Sequence, residues 1–80
     1  MNATVIVTLK PTVLDPQGLT IRRSLASAGI SGVTGVRQGK HFEVEVSDDL
    51  SEAERQEVVE RLARDVLANP VIESYRVLWP

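Results

Sequence analysis

Along this chain, apolar residues first alternate with polar ones and then fall into helical spacing, and that switch happens twice. From Ala3 to Leu9, Val5, Val7 and Leu9 share one face, and Thr4, Ile6 and Thr8 share the other. A period of two predicts a strand with one buried face. A helix start follows at once. Asp15 suits the N-cap, and Pro16 suits N1, where its missing N–H costs nothing. Leu14 and Leu19 fall at N′ and N4, the positions of a hydrophobic staple. The first helix is expected over Pro16–Ala28, with Ile21, Leu25 and Ala28 on one face. Gly29 fits C′, and Ile30 at C″ meets Leu25 at C3, as in a Schellman motif.

The second half opens with two strand-like runs, Val33–Arg37 and Lys40–Val46. Phe42, Val44 and Val46 share a face opposite His41, Glu43 and Glu45. A three-residue loop, Arg37-Gln38-Gly39, keeps Val36 on the Phe42 face and requires Gly39 at positive φ in a G1 bulge. A two-residue loop would turn Val36 out of the core. Ser51-Glu52-Ala53-Glu54 is a capping box. Val58, Val59, Leu62, Val66 and Leu67 form the expected buried stripe of the second helix. Glu57–Arg61 and Glu60–Arg64 are i,i+4 pairs in the better orientation. Asn69-Pro70 stops the helix. The last strand, Val71–Trp79, carries Tyr75, Val77 and Trp79 on one face.

The order β-α-β-β-α-β predicts an α+β, ferredoxin-like split βαβ fold in one domain, residues 1–80. It has an antiparallel four-stranded sheet of order 4-1-3-2, with two helices on one face. The open face holds Thr4, Ile6, Thr8, His41, Glu43, Glu45, Arg76 and Leu78. Ile6 and Leu78 have no core to join there, which makes them candidate oligomer contacts. Two scattered surface aliphatics explain them equally well.

Composition sharpens the picture. A chain of 80 residues buries only about 60–65% of its unfolded surface, so a partner subunit or a second copy is expected. There is no cysteine and one histidine, which excludes disulfides and thiolate metal sites. A net charge of −2 gives no global nucleic-acid signal. The chain opens with no signal-like segment and has no apolar run long enough to span a bilayer, so cytoplasm is expected.

Candidate chemistry is sparse. His41 has no nucleophile or paired carboxylate at known proximity and reads as a surface histidine. Gly29, Gly32, Gly35 and Gly39 match neither a dinucleotide fingerprint nor a P-loop. The open face lacks the aromatic platforms of RNA-binding domains of this fold. Glu43, Glu45, Asp48 and Asp49 read as a solvated strand end and loop rather than a cation site. No catalytic residue and no metal ligand is assigned. What stands out is Lys10, Pro11, Gln17 and Gly18, which the cap and staple do not explain. Gly18 in a first helical turn even costs about 1 kcal/mol against Ala. Arg37 is likewise polar, beside a turn, with no evident local role.

Val7-Thr8-Leu9-Lys10-Pro11, followed by Val13-Leu14-Asp15-Pro16-Gln17-Gly18, resembles the opening signature of the PurS family. Val36-Arg37-Gln38-Gly39-Lys40 resembles its hairpin signature. Leu67-Ala68-Asn69-Pro70-Val71-Ile72-Glu73, followed by Tyr75, resembles its C-terminal one. Any one of these is weak; three in order over nearly the whole chain are specific. Departures are Ala28, where a larger apolar residue is expected, and the ending Leu78-Trp79-Pro80.

The resemblance implies a small subunit of phosphoribosylformylglycinamidine synthase, a carbon–nitrogen ligase complex of purine biosynthesis. The complex turns formylglycinamide ribonucleotide, ATP and glutamine into formylglycinamidine ribonucleotide, ADP, phosphate and glutamate. A glutaminase subunit releases ammonia, and a large synthetase subunit binds ATP, magnesium and the ribonucleotide. The small subunit is implied to have no chemistry or cofactor of its own. It joins the two others, assists ammonia transfer and forms dimers or tetramers. Lys10, Pro11, Gln17, Gly18, Arg37, Lys40 and Asn69 are the candidate partner-binding residues. An ACT-like small-ligand regulatory module is the alternative, since Asp15-Pro16-Gln17-Gly18-Leu19 superficially resembles its ligand loop.

Overall fold

The computed structural model describes residues 1–80. Strand β1 spans Asn2–Leu9, helix α1 Pro16–Ser24 and strand β2 Gly39–Glu45. Helix α2 spans Glu52–Leu62 and runs into a π-helical turn, Ala63–Leu67, before strand β3, Glu73–Leu78. The sheet is antiparallel in the order β2-β1-β3.

The central strand sets the core. Val5 sits opposite Phe42 of β2 and Val77 of β3, and Val7 sits opposite Tyr75. Ala3, Val5 and Val7 are buried against Val46, Val59, Ala63 and Ala68. Phe42, Val44, Leu50, Leu67, Tyr75, Val77 and Trp79 border them. The other face of β1 carries Thr4, Ile6 and Thr8, as the alternation predicts.

The expected fourth strand is absent, so the four-stranded sheet of order 4-1-3-2 is corrected to three strands. Val33–Arg37 forms no ladder. Its end is held elsewhere: the Arg37 guanidinium donates to the carbonyls of Lys10 and Val13, and the Gln38 amide donates to Asp15. Gly39 is not at positive φ. It begins β2 opposite Thr8. A Cβ there would lie 2.8 Å from the Val7 carbonyl oxygen, so close strand approach, not a G1 bulge, accounts for the glycine.

The two helices also differ from expectation. The capping box at Ser51 and Glu54 forms in both directions. Val58 and Val66, however, are exposed rather than buried. The amide of Ala68 bonds to the carbonyl of Ala63 at 2.9 Å. This widened turn breaks the helical phase and brings Leu67 and Ala68, not Val66, to the sheet. In α1 the Asp15 cap forms, but Leu14 is 70% exposed, so there is no staple. Beyond Ser24 a helical turn continues to a Schellman cap: Ile30 bonds to Leu25 and Gly29 to Ala26, with Gly29 at φ 73°. Only Gly18 of α1 is buried, so α2 alone covers the sheet.

The result is elongated. The radius of gyration is 16.4 Å, against about 12 Å for a compact chain of this length. The extents are 51 × 25 × 15 Å, and nearly every residue from Thr20 to Gly35 is exposed. That segment is an arm standing off a small core. Val5→Ala should therefore cost about 2 kcal/mol in urea unfolding. Val71→Ala, at a position 77% exposed, should stay within about 0.5 kcal/mol.

Candidate functional site

One end of the molecule gathers three stretches that are far apart in sequence. The chain leaves β1 at Leu9, and the Lys10 amide donates to the Ile72 carbonyl at 2.9 Å. The Val13 amide donates back to the Lys10 carbonyl at 2.9 Å, closing a turn. Asp15 then caps α1, its Oδ1 accepting from the Gly18 amide at 3.0 Å. Its Oδ2 accepts from the Gln38 amide at 2.7 Å. The Arg37 guanidinium completes the clasp with 3.0 Å bonds to the carbonyls of Val13 and Lys10.

Gly18 is now explained. A Cβ at that position would sit 2.2 Å from the Val36 carbonyl oxygen. The returning chain crosses the first turn of α1 so closely that no side chain fits. The helix-propensity cost of glycine is thus spent on letting residues 36–38 reach Asp15.

Asp15 is 5% exposed, and a buried carboxylate is tolerable only when well hydrogen-bonded. The Gln38 and Gly18 amides, and to a lesser extent the charge of Arg37, hold its pKa below the ordinary aspartate value despite burial. Next to the clasp lies a hollow of about 300 Å³. Gln17, Gln38, Lys40 and Glu73 supply its polar walls, and Val7 and Leu9 its floor. Glu73 accepts from the Asn69 amide at 2.7 Å, and its other oxygen is 4.0 Å from Lys40 Nζ. Asn69 builds the turn before β3, accepting from the amides of Val71, Ile72 and Glu73.

The candidate partner-binding residues therefore divide. Gly18, Arg37 and Asn69 have structural work within the chain. Gln17 and Lys40 line the hollow, Pro11 is exposed in the turn, and the Lys10 side chain is half-buried. Ile6 and Leu78 lie on the open sheet face, beside His41 and Arg76 and beside Thr4 respectively. Glu73 and Gln38 were missed. Both stand inside recognisable signatures, but pattern alone does not show which backbone or side-chain donors they meet.

No three His, Asp or Glu residues converge into a group able to hold a metal. The ACT-like reading also loses its loop. Both Asp15 oxygens are engaged, and the Val36 carbonyl fills the space over Gly18.

The family model described as PurS, phosphoribosylformylglycinamidine (FGAM) synthase, matches residues 2–80. This chain belongs to the PurS family. The phosphoribosylformylglycinamidine synthase subunit PurS of Mycobacterium leprae is 41% identical over 76 residues, covering 95% of this chain and 91% of that one. The crystal structure of Methanocaldococcus jannaschii PurS, a subunit of formylglycinamide ribonucleotide amidotransferase in the purine biosynthetic pathway, superposes with a TM-score of 0.80 at 38% identity. It covers 95% of this chain and 90% of that chain. A chain of the Thermotoga maritima PurLQS structure superposes with a TM-score of 0.70 at 32% identity, covering 95% and 93%.

The three PurS-like signatures thus meet in one place. Lys10 of the first bonds to Ile72 of the third, Arg37 of the second bonds to Lys10 and Val13, and Lys40 faces Glu73. No helix of the chain is long and apolar enough to cross a membrane.

Gly18→Ala should destabilise the chain by about 1–3 kcal/mol through overpacking, reversing the gain of about 1 kcal/mol that alanine gives in an open helix. Arg37→Ala should cost about 1 kcal/mol, because two carbonyls lose a charged donor. Both are read from urea melts. Because the folded pKa of Asp15 is lowered, its contribution is fully present above the unfolded value of about 3.9 and is lost as pH falls below it. Asp15→Asn should flatten the acid limb of a stability–pH curve. An unchanged acid limb would show that Asp15 is not bonded as described.

Proposed function

We propose that this chain is the non-catalytic bridge of an FGAM synthase, joining a glutaminase subunit to a large synthetase subunit and assisting ammonia transfer between them. Membership of the synthase's PurS family is established; the division of labour is our reading. It rests chiefly on the full-length likeness to a chain inside a PurLQS structure. The residue inventory agrees. A glutaminase of the thiolate type needs a cysteine nucleophile, and this chain has none. ATP and magnesium are assigned to the synthetase subunit and the whole assembly to the cytoplasm.

The hollow beside the clasp is the proposed docking surface. Gln17 and Lys40 present side chains to a partner there, and Lys10 and Pro11 do so from the turn after β1, while Gly18, Arg37 and Asn69 hold the backbone that displays them. The small core and the exposed arm favour self-association as well, as a dimer or tetramer.

Purified alone, the chain should hydrolyse neither glutamine nor ATP. Added to its two partners, it should be required for glutamine-dependent synthesis. Full turnover without it would remove the bridging role. The Lys10→Ala, Gln17→Ala double variant should melt within about 0.5 kcal/mol of the parent yet assemble more weakly and lower glutamine-dependent activity. Normal titration into the complex would move the docking surface elsewhere.

A further inference from the structure

The hollow beside the clasp continues past its own rim. Gln17 and Gln38, which wall it, also wall a second, shallow hollow of about 330 Å³ that runs over the first turns of α1 to Pro16, Thr20 and Ile21. Together the two make one groove. Lys40 and Glu73 stand at one end of it, and Ile21, 39% exposed, stands at the other. Thr20 is turned back on its own helix, its Oγ1 donating to the Pro16 carbonyl at 2.9 Å. The Gln17 and Gln38 carboxamides lie between the ends, on exposed residues, with no hydrogen bond inside the chain. A primary carboxamide offers donors and an acceptor, which suits the N–H and C=O groups of an extended backbone.

Two carboxylates and one ammonium border this groove, and only the ammonium is open. Asp15 is fully engaged, both oxygens accepting from amides. Glu73 is held by the Asn69 amide at 2.7 Å, and its other oxygen stops 4.0 Å from Lys40 Nζ, beyond hydrogen-bond reach. The Lys40 side chain is 63% exposed and that of Glu73 13%. Lys40 is thus the accessible charge of the groove, and no counter-ion is hydrogen-bonded to it. The surrounding chain has the same sign: residues 16–42 include Arg22, Arg23, Arg37 and Lys40 and no aspartate or glutamate.

We propose that this groove receives an extended, acidic segment of a partner subunit. An Asp or Glu carboxylate of that segment sits on Lys40, its backbone lies along the Gln17 and Gln38 carboxamides, and an apolar side chain covers Pro16 and Ile21. This rests on the docking surface proposed above and names what it takes. A bond from Lys40 to an incoming carboxylate is charge-assisted, about twice as strong as a neutral one, and is made where Glu73 does not reach. The acid-free stretch around it steers the encounter. The rival occupant is the acidic stretch of a second copy of this chain. There Glu43 and Glu45 are fixed in β2, and Asp48 is held by the Met1 ammonium at 2.8 Å, so that stretch offers no free extended segment.

Substitutions at Lys40 read the charge directly. Each variant is titrated into a mixture of the glutaminase and synthetase subunits, at low and at high salt. Lys40→Arg should bind within about twofold of the parent, Lys40→Met about tenfold more weakly and Lys40→Glu about a hundredfold more weakly. High salt should narrow the gap between the parent and Lys40→Glu. Because the chain has no cysteine, Gln17→Cys carries a benzophenone maleimide at one defined point. Irradiation of the assembled complex should join it to a partner-subunit peptide that contains Asp or Glu, located by mass spectrometry. Melts check that every variant is folded. Equal losses in all three Lys40 variants, no loss in Lys40→Glu, or a cross-link to an acid-free peptide or to another copy of this chain overturns the acidic occupant. If the Lys10→Ala, Gln17→Ala double variant assembles weakly in that case, the docking surface itself stands; if it assembles normally, both fall.

Discussion

Both oxygens of one carboxylate are committed in this structure, and the rest of the molecule follows from that. Asp15 accepts from Gly18 on its own helix and from Gln38 on a segment twenty-three residues away. Burying such a group without partners would be prohibitive; with two short amide bonds it becomes a fixed point. The bond to Gln38 demands close passage of residues 36–38 over α1, and the glycine at 18 permits it. Once Gln38 is pinned, Gly39 enters β2 opposite Thr8, and the register of the whole β1–β2 ladder is set. The same pinning keeps Val33–Arg37 out of the sheet.

A three-stranded sheet covered by one helix leaves little core. Seven buried apolar residues, all of them valine or alanine, hold the chain together, too few to make an isolated small domain secure. The polar residues a catalyst would use for chemistry are used here for architecture: Arg37 on two carbonyls, Asn69 on three amides, Glu73 on Asn69 and Lys40. Such a chain is suited to hold other subunits in position.

Much of this was legible in the sequence where the signals are local. The alternation of Val5 and Val7 with Ile6 and Thr8 gave both sheet faces correctly. The Asp15 cap, the Ser51–Glu54 box and the Gly29 Schellman turn are each determined within a few residues, and each is present. What failed depended on distant contacts. Val33–Arg37 reads as a strand because nothing local shows that Arg37 and Gln38 bond to residues 10–15. Gly39 reads as a bulge because its true constraint, the Val7 carbonyl, lies on another strand. The α2 stripe was misplaced at Val58 because the buried face is centred on Val59 and Ala63, and at Val66 because the π turn shifts the helical phase. Gly18 and Arg37 read as partner-binding candidates because their roles within the chain come from the backbone passing over α1, which periodicity cannot reveal.

If the Asp15 clasp is intrinsic, the chain forms it before any partner arrives. Amide hydrogen exchange followed by NMR on the isolated protein tests this directly. The Gly18 and Gln38 amides should both be strongly protected, and both should lose that protection in Asp15→Asn while Val5 stays slow. Exchange of Gly18 and Gln38 at unstructured rates, slowing only when the glutaminase and synthetase subunits are added, would contradict the account. The clasp would then be a product of assembly rather than its foundation.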